Sequence, residues 1–217
     1  MWPSGQYALP ASMFGCPETE LYGWTPSFVN LSLPATSREQ IWHDKDPLTF
    51  EPHILGPFYK RTFQFNFCTK EFDMDRKENA DVWGPGKYCI YRVNTCRDDF
   101  QEGNITITGY SVFNRAGNHQ TAVLTDNSSV IIHFCCRDDG DEKVEIRLPN
   151  TFPFQLFKGH SARMCQKVEG MDVKEDTFFM VNEHLNWKFN PPHPYFNTSN
   201  DRHIGIPFCY YYPSISH

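Results

Sequence analysis

Short alternating segments dominate the chain, and long amphipathic helical periods are scarce. Thr62-Phe63-Gln64-Phe65-Asn66-Phe67 sets three Phe on one face of a strand with polar residues on the other. Ile105 and Ile107, continued by Tyr110, repeat the pattern. The clearest hairpin joins residues 129–136 to 143–148. Arg137-Asp138-Asp139-Gly140-Asp141-Glu142 between them supplies turn chemistry, with Gly140 free to take positive φ. On the return strand Val144, Ile146 and Leu148 alternate with charged residues, which implies one buried and one wet face. A single short helical turn is expected over 37–43, capped by Ser37 with Gln40 in the capping-box position. Sixteen prolines and 13 glycines punctuate the rest. This spacing predicts an all-β fold: an antiparallel, β-sandwich-like single domain over 1–217. An irregular N-terminal arm (1–57) and a C-terminal tail (190–217) are expected to pack on it. Cys16 and Cys209, near the two ends, invite a bridge between these arms.

Composition narrows the class. The chain has 217 residues, enough for one domain with a real core. Aromatics make up 16%, led by 19 Phe and 10 Tyr, so large rings carry much of the buried area. A formal charge of -6 argues against nonspecific binding to nucleic acid, and Lys and Arg form no dense block that would anchor the chain electrostatically to a membrane. The longest apolar runs, such as Val130-Ile131-Ile132, are far too short to cross a bilayer.

The eight cysteines are Cys16, Cys68, Cys89, Cys96, Cys135, Cys136, Cys165 and Cys209. None is spaced as a paired zinc knuckle, so disulfides in an oxidising compartment are the better reading. Cys89 with Cys96 is the best local pair, because the chain has room to turn back through Asn94-Thr95. Cys135 and Cys136 are expected to go to different partners, since adjacent strand residues face opposite ways. Sequons at Asn30, Asn104, Asn127 and Asn197 suit the same compartment. Met1-Trp2-Pro3-Ser4 opens directly in the domain, without the charged and apolar regions of a signal peptide. The expectation is therefore a mature secreted domain whose signal peptide has been removed, with a cytosolic form as the lesser alternative.

The cysteines sit inside an ordered series of phrases. Trp2-Pro3-Ser4-Gly5-Gln6-Tyr7-Ala8-Leu9-Pro10 leads to Cys16-Pro17 and Phe67-Cys68. Gly86-Lys87-Tyr88-Cys89-Ile90-Tyr91, Cys96 and His133-Phe134-Cys135-Cys136-Arg137-Asp138-Asp139-Gly140 follow. Ile146-Arg147-Leu148-Pro149, Pro153-Phe154-Gln155-Leu156-Phe157 and Cys165-Gln166-Lys167-Val168-Glu169-Gly170-Met171 close it. From Trp2 to about Tyr195 the series resembles the C-terminal domain of apextrin, the ApeC module of animal extracellular and immune proteins.

Catalytic signatures such as the G-x-S-x-G elbow, the phosphate-binding loops and the H-E-x-x-H zinc helix do not occur. Asn182-Glu183-His184 lacks the second His that a zinc site needs. The acids at 138–142 fit turn chemistry better than a calcium loop, whose ligands are differently spaced. Relatives often carry acidic, Asn-rich runs where this chain reads Gly103-Asn104-Ile105-Thr106 and Phe179-Met180-Val181-Asn182, so no metal and no cofactor is expected.

What remains is aromatic. Trp24, Trp42, Trp83, Trp187 and the run Tyr210–Tyr212 lie in or beside loop-like sequence. Exposed rings suit the C–H faces of sugars, although core filling is the commoner use of any one ring. The candidate ligand-binding residues are Trp83 before the Gly84-Pro85-Gly86 turn, Trp187 with the amides of Asn182 and Asn186, and Tyr211. Tyr211 is chosen from a run in which at least one ring should face outward. The resemblance implies a secreted, non-enzymatic pattern-recognition protein for bacterial cell-wall glycan or peptidoglycan. Alternatives are an extracellular adhesion or matrix component, the targeting module of a perforin-like toxin, and an unrecognised hydrolase.

Overall fold

The computed structural model describes residues 2–17, 23–32, 42–43, 58–59, 62–70, 82–109, 111–116, 123–125, 129–181, 185–200 and 203–214. Among them are fifteen strands and no helix, hence no helix able to cross a membrane. The first five are β1 (Tyr7–Pro10), β2 (Trp24–Ser32), β3 (Trp42–His43), β4 (Phe58–Tyr59) and β5 (Thr62–Lys70). Then come β6 (Lys87–Arg92), β7 (Gln101–Thr108), β8 (Ser111–Ala116), β9 (Val123–Thr125) and β10 (Ser129–Asp138). The last are β11 (Phe154–Lys158), β12 (Met171–Val181), β13 (Asn186–Asn190), β14 (Asn197–Asn200) and β15 (His203–Pro213). Every strand pairing is antiparallel, and the strands form one connected sheet, as the short alternating segments predict.

The sheet branches at β6. One edge of β6 pairs with β10, with Cys89 opposite Cys136; the other edge meets β11 at Cys89 and β1 at Tyr91. β10 in turn carries β7 along Ser129–Cys136, and β13 pairs β7 beyond it. β15 lies between β11 and β12, where Tyr211 is opposite Phe154 on one side and Val173 on the other.

Both faces of this central region are buried. Phe65 and Phe67, Ile105 and Ile107, and Phe134, Phe157 and Phe208 fill the first face. The second holds Trp2, Tyr7, Trp24, Trp83, Tyr88, Phe154 and Tyr211, with Ile146 and Leu148. A strand packed on both sides loses the apolar–polar alternation, which is why Tyr88-Cys89-Ile90-Tyr91 is buried without a break.

Several expectations are corrected by these pairings. Residues 143–148 do not return beside β10, because β6 and β7 already occupy both of its edges. The segment leaves the sheet instead: Ile146 bridges Val168, Ile146 and Leu148 enter the second core, and Val144 is exposed. The arms are not irregular. β1 is inserted between β5 and β6, and β15 is a central strand of its part of the sheet. In the proposed helical turn, Trp42 and His43 form a strand against Phe178 and Phe179, while 37–41 lie outside the described residues.

All eight cysteines are bridged: Cys16–Cys68, Cys89–Cys136, Cys96–Cys135 and Cys165–Cys209. The expected Cys89–Cys96 pair is therefore wrong, and so is a bridge between the two arms. Cys89 points into the first core directly across the ladder from Cys136, whereas Cys96 packs against the second core. Cys135 and Cys136 do divide between the two faces, as strand geometry requires.

Replacing Cys89 and Cys136 together by Ala should cost about 2–5 kcal/mol in a denaturant titration, the usual loss for one bridge. Two imidazoles, His133 half-buried and His193 buried, set a second expectation. Burial lowers the pKa of His133, helped by Arg92, and burial likewise lowers that of His193. The folded state then binds protons less readily than the unfolded one, whose histidines titrate near 6.5. Stability should be full above that pH and fall as the pH drops below it; melting curves between pH 7.5 and 5.5 should show the loss. His133→Gln and His193→Gln should each reduce its slope.

Candidate functional site

Alternation along β15 sends the three tyrosines of Tyr210–Tyr212 to two destinations. Tyr211 is 0% exposed, stacks on Phe154 at 4.8 Å and donates a 2.6 Å hydrogen bond from its hydroxyl to the Gln166 carbonyl. Burial holds its phenol protonated well above the usual range. Tyr210 and Tyr212 point the other way and stack on each other at 5.7 Å. Phe14 continues the row, its ring 6.3 Å from that of Tyr210.

Phe14 comes from a four-residue turn that the sequence builds locally. The Gly15 amide donates to the Ser12 carbonyl at 2.9 Å, and the Phe14 amide to Ser12 Oγ at 3.2 Å. Gly15 sits at φ 87°, where a Cβ would be strained, and Cys16 ties the turn to β5 through Cys68. Met13 and Phe14 therefore project from a fixed base.

Phe14 is 65% exposed and Tyr212 38%, while Tyr210 between them is 5% exposed. Burial, with the charge of Asp176 and the neighbouring Tyr212, raises the Tyr210 pKa, so its hydroxyl stays a hydrogen-bond donor at neutral pH. On the adjoining strand β12, Lys174 stands opposite Tyr210 and pairs with Asp176 at 3.7 Å, and Asp172 stands opposite Tyr212. Across the other edge of β15, Gln155 stands opposite Tyr210. A row of rings bordered by one ion pair, a carboxylate and an amide can stack on an apolar face and hydrogen-bond at its rim.

The other candidate rings are placed differently. Trp83 is 1% exposed, so it is core and not ligand-binding surface. Its ring is edge-on to Tyr7 at 5.1 Å and to Phe100 at 5.8 Å. The Gly84-Pro85-Gly86 turn holds it inward, because that turn is itself covered: a Cβ on Gly84 would lie 2.8 Å from Ile146 and one on Gly140 2.5 Å from the Gly86 nitrogen. Arg137 completes the clamp, donating to the Trp83 carbonyl at 2.7 Å and to Asp99 at 2.8 Å. Tyr211 is core too; of its neighbours in the run, Tyr212 is exposed and Tyr210 is buried on the opposite face of the strand.

Trp187 is half-buried on β13, stacked 6.2 Å from Phe189 against the rim of the first core. Asn186 is exposed beside it, and Asn182 lies outside the described residues. Trp187 packs at the first core and Tyr211 lies in the second, so these two rings are not brought together. Among the sequons, Asn30 is in β2, Asn104 accepts a hydrogen bond from Asn190, Asn197 begins β14, and Asn127 lies outside the described residues. The acids after β10 are bound to protein donors. Asp139 meets Arg137 and the Gly86 amide, Asp141 accepts from the Lys143 amide, and Glu142 accepts from the Arg163 amide. The Arg137 hydrogen bonds hold the Asp139 carboxyl below its usual range.

Sequence reasoning did not single out the exposed Phe14, and of the three tyrosines it chose the fully buried one. The signal for Phe14 was present: two large apolar residues between Ser12 and Gly15, in a turn closed by Cys16. The parity of the tyrosine run was not legible, since only the pairing with β11 and β12 fixes which face is inside.

Strands and cross-links together define an all-β, disulfide-stapled domain. The family model for the C-terminal domain of apextrin, ApeC, matches residues 2–211, and the chain belongs to this family. No curated protein and no solved structure matches it.

Truncating the core rings should unfold the protein and truncating the surface rings should not. Trp83→Ala and Tyr211→Ala should each cost about 3–5 kcal/mol. Phe14→Ala and Tyr212→Ala should stay within about 0.5 kcal/mol of wild type by thermal melting.

Proposed function

We propose that this chain is an extracellular recognition domain that binds bacterial cell-wall glycan or glycopeptide without turning it over. The observation that carries the reading is the row Phe14–Tyr210–Tyr212, whose outer members are exposed on a rigid, cross-linked base. Sugars offer flat C–H faces to such rings and hydroxyls to the polar groups at their border. Membership of the apextrin family supports a recognition role. Four disulfides suit an oxidising, extracellular compartment. On the row's face of β12, Lys174 opposite Tyr210 is paired with Asp176, and Asp172 stands opposite Tyr212 as a hydrogen-bond acceptor at the rim.

Wild-type protein should sediment with insoluble peptidoglycan and release no reducing ends from it. Phe14→Ala and Tyr212→Ala should each weaken the association by about 0.5–1.5 kcal/mol, or about 2- to 12-fold, with melting temperature unchanged. Wild-type protein that ignores peptidoglycan but binds matrix polysaccharide or host glycoprotein would replace this reading with the adhesion one.

A further inference from the structure

Among the described residues two glutamines are completely buried, and they are treated in opposite ways. Gln166 uses both ends of its amide: Oε1 accepts from the Lys87 amide at 3.0 Å, and Nε2 donates to the Val144 carbonyl at 2.6 Å. Gln155, 0% exposed, has neither end engaged; Oε1 and Nε2 both lack a hydrogen-bond partner. A buried amide left in this state is costly, and apolar side chains of the same length would fit without that cost. Gln155 also has a definite place. It is opposite Tyr210 in the β11–β15 ladder, so its side chain shares a face with the central ring of the aromatic row.

We infer that Gln155 is the specificity-determining residue of this row, and that it selects a ligand carrying a secondary amide, such as an N-acetylated sugar. The inference rests on the glycan-binding reading above. Gln155 Oε1 accepts the amide N–H of the ligand, and Nε2 donates to a carbonyl oxygen beside it. An acetamido group brings one donor, one acceptor and a methyl that packs on the neighbouring rings. A hydroxyl in its place brings no methyl and keeps further hydrogen-bonding capacity that an aromatic setting leaves unmet. Phe14 supplies the way in. It is the one ring of the three carried by a turn rather than by β15, and it covers Tyr210 while itself 65% exposed. Rotation of its side chain would open the side of Tyr210, the ring opposite Gln155 in the ladder.

The test compares chitotetraose, which carries acetamido groups, with cellotetraose, which carries hydroxyls in their place. Calorimetric titration of wild type should show at least a tenfold preference for chitotetraose. Gln155→Met, which keeps the length and removes the unpaired amide, should melt at or above the wild-type temperature and lose that preference, with cellotetraose affinity changed less than twofold. Should the variant fail to fold, the side-chain NH2 resonance of Gln155 in 15N-labelled wild type decides: it should shift with chitotetraose and stay in place with cellotetraose. Equal affinities, a preference that survives Gln155→Met, or an unmoved resonance would overturn the role of Gln155 while leaving ring-dependent peptidoglycan binding intact. Failure to bind peptidoglycan or either tetrasaccharide would overturn both.

Discussion

The ladder between β6 and β10 must be dry on both of its faces, and the rest of the fold follows from meeting that demand. On one face Tyr91 stacks on Phe134 at 5.7 Å, and Phe157 stands edge-on to both at 4.8 and 5.2 Å. On the other, Tyr88 and Ile90 face a second core built around three tryptophans. Cys136 and Cys135 place one disulfide on each side of the same strand. Covering the second face is the task of segments with little regular structure: the N-terminal Trp2, the Trp83 turn and the stretch that carries Ile146, Leu148 and Val168. Segments of this kind cannot satisfy their own backbone groups, which explains the buried polar clamps among them. Arg137 anchors the Trp83 turn and lies over the Phe100 ring at 5.7 Å, and Gln166 links Lys87 to the Val144 segment.

The aromatic row sits where this double-sided burial ends. β15 delivers Phe208 to the first core and Tyr211 to the second; beyond Phe208 on its face, Tyr210 is still buried and Tyr212 reaches solvent. The disulfides hold this margin from two sides, Cys209 within β15 to Cys165 and Cys16 beside Phe14 to Cys68. Rings carried on a cross-linked base lose little conformational freedom when another molecule stacks on them.

The chemistry of single residues and the alternation of strands were legible in the sequence. Phe65 and Phe67, Ile105 and Ile107 read as inward-facing and are so. An even set of cysteines without zinc spacing read as disulfides, and all eight are bridged. Separate destinations for Cys135 and Cys136 followed from adjacency in a strand alone. The family was legible too, because its phrases are carried by order along the chain. Local periodicity and covalent chemistry are properties of neighbours in sequence, and a reading of the sequence reaches them directly.

Pairing and the choice of face belong to the tertiary structure. Cys89 prefers Cys136, 47 residues away, over Cys96, because the ladder sets the first two opposite each other and sends Cys96 to the other face. Residues 143–148 have the alternation of a strand but no free edge of β10 to join. Trp83 looks like a ring on a surface turn until Ile146 and Gly140 close over that turn. Tyr211 and Tyr212 are identical in kind and adjacent in sequence, yet one is fully buried and the other exposed. A strand's period of two is written in its sequence, but its phase against the core is fixed only by the strands on either side, here β11 and β12.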